Sequence, residues 1–508
     1  MKTGLQLKHL IFLNMRIIDD FLNNITMYRL ILYYLLVLAI VALIYSIFGV
    51  LPFNFLNLIF SFLFITSVSW LCNVTFAEIF KVPTNLESVY ITSLILFLII
   101  SPARHTHDLF FLGWIAVISE ASKYIFALKK KHIFNPAAFA VLLTYFVLNQ
   151  SASWWIGTAS MFPFVLIGGL LLTRKIKRFD LVLSFLMVAS LTIIFFTLGK
   201  RTDLATILKK TYLDSPILFF AFVMLTEPLT TPGTFDLRVL YGAITGFLFA
   251  PQLKLGLLTT TPEIALVLGN IFSYLVGSKE KLILTLSQKI KINPDSYDFV
   301  FNLVDPPKFN PGQYMEWTLG HQSPDSRGNR RYFTISSSPT EKNIRIAVKF
   351  HENGSSFKRR MLEMNVGDKI VASQITGDFT LPKDTGKKLV FVAGGIGITP
   401  FRSIIKYLSD TNEKRDIVLL YSNKKDEDVV YRDIFDEGVK KFGLRVIYIA
   451  TETQGRIDST LIQKQIPDFK ERTFYLSGPH MMVISFEEVL SSLGLSKGQI
   501  KVDYFPGY

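Results

Sequence analysis

The run Leu389-Val390-Phe391-Val392-Ala393-Gly394-Gly395-Ile396-Gly397-Ile398-Thr399-Pro400 joins five apolar residues to three glycines and a Thr-Pro pair. It predicts a buried strand that breaks into a tight turn and opens a helix, a place to hold a pyrophosphate. Glycine lets backbone approach phosphate closely, and a helix start offers unpaired N–H groups and the positive end of its dipole. Upstream, Arg331-Tyr332-Phe333-Thr334-Ile335-Ser336-Ser337-Ser338-Pro339 sets a fixed cation, aromatic faces and hydroxyls in a β-rich stretch. That set can bind a phosphate, stack on a flat ring and hydrogen-bond its edge. Downstream, Tyr475-Leu476-Ser477-Gly478-Pro479-His480-Met481-Met482 reads as a second strand-to-turn edge. The chain closes on Asp503-Tyr504-Phe505-Pro506-Gly507-Tyr508, whose aromatic rings could cover such a ligand.

The elements that must position these residues fall into two unlike halves. Leu30 to Ala77 carries no Lys, Arg, Asp or Glu and is long enough for two spans of about 20 residues around the breaker Leu51-Pro52-Phe53-Asn54. Ile133 to Thr173 is likewise uncharged, around the polar turn Asn149-Gln150-Ser151-Ala152-Ser153. With the apolar runs near 86–101, 109–127, 180–199, 215–229, 237–251 and 262–277, the pattern predicts a membrane domain of about ten helices over 29–278. Some are short enough to be tilted or re-entrant. Residues 1–28 mix Leu, Ile and Phe with scattered charge, which predicts an interfacial segment and not a cleaved signal peptide.

Charge sets the expected orientation. Lys2, Lys8, Arg16 and Arg29 fall on the same side as Lys81, Lys129-Lys130-Lys131 and Arg174-Lys175-Ile176-Lys177-Arg178, which the positive-inside rule makes cytoplasmic. An even number of spans returns the chain there at Lys279, while Lys200-Arg201 and Lys209-Lys210 disagree with that count. The expected location is therefore the inner, cytoplasmic membrane of a cell, with the bilayer as partner and residues 281–508 in the cytoplasm. The net charge of +14 fits cytoplasmic loops and anionic lipid, not nucleic acid. The single cysteine, Cys72, excludes an internal disulfide and a four-cysteine iron–sulfur cluster. No metal site is expected.

The motifs of the second half, in their order, resemble the ferredoxin-NADP reductase superfamily, over roughly residues 281 to 508. The resemblance implies an FAD-binding antiparallel β-barrel over 281–383, then an α/β NAD(P)-binding domain over 384–508 with an aromatic tail. It implies that Arg331, Tyr332, Phe333, Thr334 and Ser336 bind FAD, with Arg331 at the pyrophosphate and Thr334 near the isoalloxazine edge. Phe333 stands where the family usually has tyrosine, so stacking is kept and a hydroxyl contact is lost. A second FAD segment looks like Val348 to Ser356, with Gly354, Ser355 and Ser356 presenting N–H groups to phosphate. Gly394, Gly395, Gly397, Thr399 and Pro400 map onto the family's NAD(P)H turn. Ser477-Gly478-Pro479 takes the place of a common Cys-Gly-Pro beside the hydride-transfer point. Thr334, Ser477 and the terminal Tyr508 are thereby the expected catalytic residues, and Phe505 a further cofactor contact.

The first half resembles the flavin-bearing membrane subunit of the sodium-pumping NADH:quinone oxidoreductase and the Rnf complex. Lys131-His132-Ile133-Phe134-Asn135-Pro136-Ala137 carries the likeness, as do Thr226-Glu227-Pro228-Leu229-Thr230-Thr231-Pro232, Arg238 and Tyr241-Gly242-Ala243. It implies a second flavin, FMN or riboflavin, near Asn135 and Thr226. The family's Ser-Gly-Ala-Thr attachment motif is missing, so that flavin is expected to be non-covalent or supplied by a partner. As bare residues, Asn135-Pro136 is equally a capped helix start and Thr226 to Pro232 a helix-breaking loop. Glu78, Glu120 and Glu227 are ionisable groups at membrane depth.

The implied activity is oxidation of NAD(P)H through FAD to a cofactor in the membrane half, and on to a quinone or an extracytoplasmic acceptor. A redox-driven Na⁺ or H⁺ pump is the alternative. A haem-type ferric reductase is disfavoured, because the seven histidines offer no pair at matching depth on two helices. Lysines in Ser422-Asn423-Lys424-Lys425 could accept a 2′-phosphate, whereas Asp426, Glu427 and Asp428 would repel one, which leans to NADH.

Overall fold

The structure, a computed structural model, describes all residues except 1–17, 20, 23–24, 81–85, 129–130, 199–202, 252, 256–257, 278–281, 304–306, 322–323, 326, 353 and 506–508. Most of the expected interfacial segment and Tyr508 lie outside the described residues. The chain forms two compact units, Met1–Glu280 and Lys281–Tyr508.

The first unit is helical: α1 (Met27–Ile47), α2 (Phe55–Ile79), α3 (Leu86–Ile99), α4 (Asp108–Ile125), α5 (Pro136–Leu148), α6 (Phe162–Ile176), α7 (Phe179–Leu198), α8 (Leu204–Leu213), α9 (Phe235–Leu248) and α10 (Pro262–Val276). Between α8 and α9 a helical turn, Ile217–Phe219, loosens into a π-helix, Phe220–Met224. Polar residues start the helices where the sequence places them. Asn54 accepts from the Leu56 N–H at 2.8 Å, Asn135 from Ala138 at 3.1 Å and Thr261 from Ile264 at 3.3 Å, the last two with proline at the first turn.

Three helices, Met27–Ile47, Phe55–Ile79 and Phe179–Thr197, are long and apolar enough to cross a membrane. The other helices of this unit are shorter. A 14-residue helix such as α3 covers about 21 Å, short of a hydrocarbon core about 30 Å thick. The apolarity of α3 has another cause, since Thr92 to Ile99 are all buried against protein. Close packing of α9 on α7 rests on Gly242 and Gly246, where an added Cβ would meet the Leu181 carbonyl at 2.7 Å and that of Phe185 at 2.6 Å. One pattern occurs twice: α4 and α9 each lead through a two-residue antiparallel ladder (Ala127–Leu128 with Lys131–His132, Lys254–Leu255 with Leu258–Thr259) into a helix that opens with proline.

The second unit begins with six antiparallel strands, β1 (Leu282–Asn293), β2 (Ser296–Asn302), β3 (Tyr314–Thr318), β4 (Arg330–Thr334), β5 (Asn343–Lys349) and β6 (Lys369–Thr376), in the order β4-β3-β6-β1-β2-β5. The expected barrel does not close: β4 and β5 are the two edges and share no ladder. The chain leaves β4 at Ile335, and the Ser336 N–H to the Arg345 carbonyl at 2.9 Å and the Arg345 N–H to Ser337 Oγ at 3.0 Å bridge the seam. A serine side chain replaces the second backbone acceptor that a ladder would need. Helix α11 (Ser356–Leu362) lies under this sheet, its Phe357 in one core with Trp317, Phe299 and Phe301.

Five parallel strands follow, β7 (Leu389–Gly394), β8 (Ile417–Asn423), β9 (Arg445–Ala450), β10 (Thr473–Pro479) and β11 (Ile500–Phe505), in the order β9-β8-β7-β10-β11. The central strand β7 is buried throughout, as its apolar run requires of a strand covered on both faces. Helices α12 (Thr399–Thr411) and α13 (Arg432–Phe442) cover one face, α14 (Ser459–Gln465) and α15 (His480–Ser492) the other.

Candidate active site

Ala393 pairs with Ser477 in the parallel register of β7 and β10, so two motifs some eighty residues apart end side by side. Beyond that pair, Gly394 closes β7, Gly395 turns with φ +54° and Gly397 lies directly on β10. A Cβ on Gly397 would collide with the Ser477 carbonyl and meet Gly478 Cα and N at 2.6 Å. No side chain can enter there, because the neighbours are backbone. The turn is a short 3₁₀ stretch, Gly395–Ile398, and α12 starts at Thr399 with Pro400 in its first turn. The expected turn and its Ser-Gly-Pro neighbour are thus one surface at the carboxyl edge of a parallel sheet, the place where such sheets bind ligands.

The second wall comes from β4. Strand alternation puts Arg331 and Phe333 on one face and Tyr332 and Thr334 on the other. Phe357 receives both members of the first pair: the Arg331 guanidinium lies 5.3 Å from its ring centre and the Phe333 ring 6.0 Å away. Arg331 is buried and donates Nη1 to the carbonyls of Arg327 at 2.8 Å and Arg330 at 2.6 Å. Tyr332 turns away and donates its hydroxyl to Glu316 at 3.0 Å.

The Gly354-Ser355-Ser356 segment starts α11. Ser355 caps it, and the Ser356 N–H is taken by the Asp325 carboxylate at 2.8 Å. Burial pushes the Asp325 carboxyl up, but the Ser356 N–H and Arg327 outweigh it and hold it down to about 2. Sequence reasoning missed Lys358, one turn into α11. Burial, then the charges of Arg331 and Arg327, lower its ammonium to about 8. Three cations around the start of one short helix make a strongly anion-attracting patch.

Three hydroxyls at these edges, Thr334 Oγ1, Ser336 Oγ and Ser477 Oγ, are buried and have no hydrogen-bond partner among the described residues. A buried polar group left unsatisfied costs about 1–3 kcal/mol. Their residues are the ones expected to meet a flavin and a nicotinamide, and their unmet capacity fits a flat ligand with a polar edge. Phe505 ends β11, but its side chain, like all of Tyr508, lies outside what the structure describes.

In the first unit, Asn135 and Thr226 are hydrogen-bonded within the protein. Asn135 caps α5, donates its N–H to Asn270 at 2.8 Å and donates its amide to Glu227 at 2.9 Å. Thr226 donates to the Phe222 carbonyl at 2.7 Å. Both are framework. Asn270 in turn donates to the Tyr241 hydroxyl at 3.1 Å and Thr230 to Glu227 at 3.2 Å, so the two sequence stretches do meet, in a buried polar cluster. His105 and His107 stack on each other at 5.5 Å ahead of α4. No group of three or more His, Cys, Asp or Glu side chains able to hold a metal occurs among the described residues.

The glycine turn on β10 is the decisive geometry. Residues 391–487 match the oxidoreductase NAD-binding domain family. The relatives include flavohemoprotein A of Dictyostelium discoideum, 25% identical over 206 residues, 38% of this chain and 52% of that protein. A flavohemoprotein of Candida albicans is 31% identical over 222 residues, 41% of this chain and 54% of that one. An NADPH oxidoreductase of Mycobacterium tuberculosis is 28% identical over 193 residues, 37% and 50% of the two. The chain spans about half the length of these relatives. Its C-terminal unit is an NAD(P)H-dependent flavoprotein oxidoreductase unit of the reductase-like kind.

Proposed function

We propose that the protein is a membrane-bound reductase that takes a hydride from NAD(P)H in the cytoplasm onto FAD and passes the electrons to an acceptor carried by its N-terminal unit. The observation that carries the reading is the seating of Gly397 against Ser477 and Gly478, with Ser477, Thr334 and Ser336 holding unspent hydroxyls. Bound FAD supplies two-electron uptake and one-electron release. The chain supplies the rest. Arg331 and Lys358 meet the FAD pyrophosphate, Phe333 lies along the flavin, and Thr334 and Ser336 hydrogen-bond its edge. Gly394 to Pro400 cradle the coenzyme pyrophosphate, and Ser477 with Gly478 and Pro479 flanks the nicotinamide.

The acceptor in the N-terminal unit is, on the sequence resemblance, a second flavin, FMN or riboflavin. It delivers to a quinone or to a redox partner outside the cytoplasm. The buried polar cluster of Asn135, Glu227, Thr230, Tyr241 and Asn270 supports a built polar interior in that unit, beside the Asn135 and Thr226 positions expected to meet the flavin. Acid-extracted flavin is expected to be higher per chain in the full-length protein than in a fragment starting at Leu282. Equal flavin in both, or a haem Soret band in the full-length protein, would reject the second flavin.

Coenzyme choice follows from the loop after β8. Lys425 is met by Glu427 at 3.3 Å and Arg432 by Asp426 at 2.6 Å, which offsets two of the cations near a 2′-phosphate, with Lys424 the third. kcat/KM for NADH is expected to exceed that for NADPH about tenfold, on the order of one lost phosphate contact. The reverse order in a steady-state comparison would overturn the assignment.

A further inference from the structure

Hydride transfer asks two separately folded sheets to hold a donor and an acceptor about 3–3.5 Å apart. Arg402 lies one turn into α12, the helix that the glycine turn opens, and is buried. Its guanidinium crosses to the antiparallel sheet. Nη1 donates to the Ser336 carbonyl at 2.6 Å and to Glu341 at 2.9 Å, and Nη2 donates to Glu341 at 3.1 Å. Next to it, Ser403 donates its hydroxyl to the Ser337 carbonyl at 2.6 Å. The segment that bears the unspent hydroxyls of Thr334 and Ser336 is therefore tied to the helix that bears the coenzyme turn.

The tie is built at some cost. Glu341 also accepts the Ser338 N–H at 2.6 Å, and Arg345 bridges Glu341 at 3.8 Å to Asp298 at 3.5 Å. Tyr431 stacks on Arg402, ring centre 5.2 Å away, and donates its hydroxyl to Asp298 at 2.8 Å. Tyr431 does so with φ +61°, a left-handed conformation that strains a bulky residue. A buried and a half-buried carboxylate, two arginines and a strained tyrosine are a poor choice for stability alone, since packed apolar side chains serve as well or better. What they provide, and apolar packing does not, is fixed geometry.

We infer that Arg402 is a positioning residue for hydride transfer, setting the coenzyme turn against the flavin edge through the Ser336 carbonyl. The inference rests on the reductase reading above. A lysine there keeps the charge but cannot span Glu341 with a fork and reach Ser336 as well.

The test uses the full-length protein in detergent, FAD-loaded and anaerobic, with the rate of flavin bleaching by NADH measured per bound flavin. NADH deuterated at the transferred position is run in parallel. Arg402→Lys is expected to slow bleaching about tenfold to a hundredfold at saturating NADH and to raise the deuterium isotope effect, as a misplacement of about 1 Å would. Glu341→Gln, which leaves the guanidinium in place, is expected to slow the same step less, by about threefold to tenfold. A rate per bound flavin within about twofold of wild type in both variants, even with flavin content lowered, would make Arg402 a stability residue and overturn the inference alone. A wild-type flavin that neither NADH nor NADPH bleaches would overturn the reductase reading, and this inference with it.

Discussion

Arg331→Ala is expected to leave the purified protein without FAD, with NAD(P)H oxidation lost in proportion. Arg331 is buried on the face of β4 that it shares with Phe333, its guanidinium braced over Phe357 and held by the carbonyls of Arg327 and Arg330. That bracing fixes the direction of a charge that cannot be switched off by pH. Charge-assisted bonds to phosphate are about twice as strong as neutral ones, and losing a buried one costs roughly 3–5 kcal/mol, a factor of about a hundred to several thousand in FAD affinity. Lys358 does not make up the loss, because a lysine ammonium is a point charge without the guanidinium's bidentate fork. Arg331→Lys is expected to retain part of the flavin, as a point charge without the fork. The absorbance near the flavin maxima per protein, with and without added FAD, reads the outcome directly. Full FAD content and unchanged turnover in Arg331→Ala would reject the pyrophosphate assignment.

The parts of the site legible in the sequence are those whose chemistry is local. A glycine turn after an apolar strand announces itself within a dozen residues, and Arg331 to Pro339 declares cation, ring and hydroxyls in one stretch. Parallel pairing of Ala393 with Ser477 then brings together what the sequence keeps apart. The parts that were not legible are non-local. Arg402, Glu341, Arg345, Asp298 and Tyr431 come from five separate elements or loops, and no spacing in the chain relates Asp298 to Tyr431. Lys358 carries no signal in the sequence, because its burial is set by tertiary packing. The β-barrel expectation failed at one seam for a reason of one residue, a serine side chain standing in for backbone between β4 and β5.

In the first unit, apolarity alone could not separate burial in lipid from burial in protein. α3 and α2 read alike in sequence, yet α3 is 14 residues and buried in protein from Thr92 to Ile99, whereas α2 is 25 residues with Leu56, Phe60, Leu63 and Leu71 exposed along it. That exposed apolar face on a helix about 37 Å long is what a lipid-facing helix requires. Asn135-Pro136 and Thr226 to Pro232 lie far apart in the chain, and only the fold brings Asn135 against Glu227. Asn135 spends its donors and acceptor on Asn270, Glu227 and its own helix, which leaves the pair as the frame around which α5 and α10 are set.

Gly397→Ala is expected to abolish coenzyme-dependent flavin reduction while leaving FAD bound, which separates the two half-sites. The added methyl would strike the Ser477 carbonyl and the Gly478 backbone, held in the ladders that β10 makes with β7 and β11, so neither can yield without breaking strand pairing. Relief comes only by lifting the turn off β10. A shift of about 1 Å moves the backbone N–H groups away from the pyrophosphate and the nicotinamide away from its partner, and displacement on that scale costs about a hundredfold in the hydride step before any loss of binding. With binding included, kcat/KM for NADH is expected to fall by about a thousandfold, or roughly 4 kcal/mol of transition-state stabilisation. Gly395 is the internal control. Its φ of +54° strains any other residue, but an added Cβ there meets nothing within 4 Å, so Gly395→Asn, a residue that tolerates that conformation, is expected to lose less than about tenfold. The two variants share one turn and differ in what lies beside it. Equal losses would mean that backbone conformation, not the contact with β10, sets the site, while a Gly397→Ala protein that reduces its flavin at the wild-type rate would remove the turn from the reaction altogether.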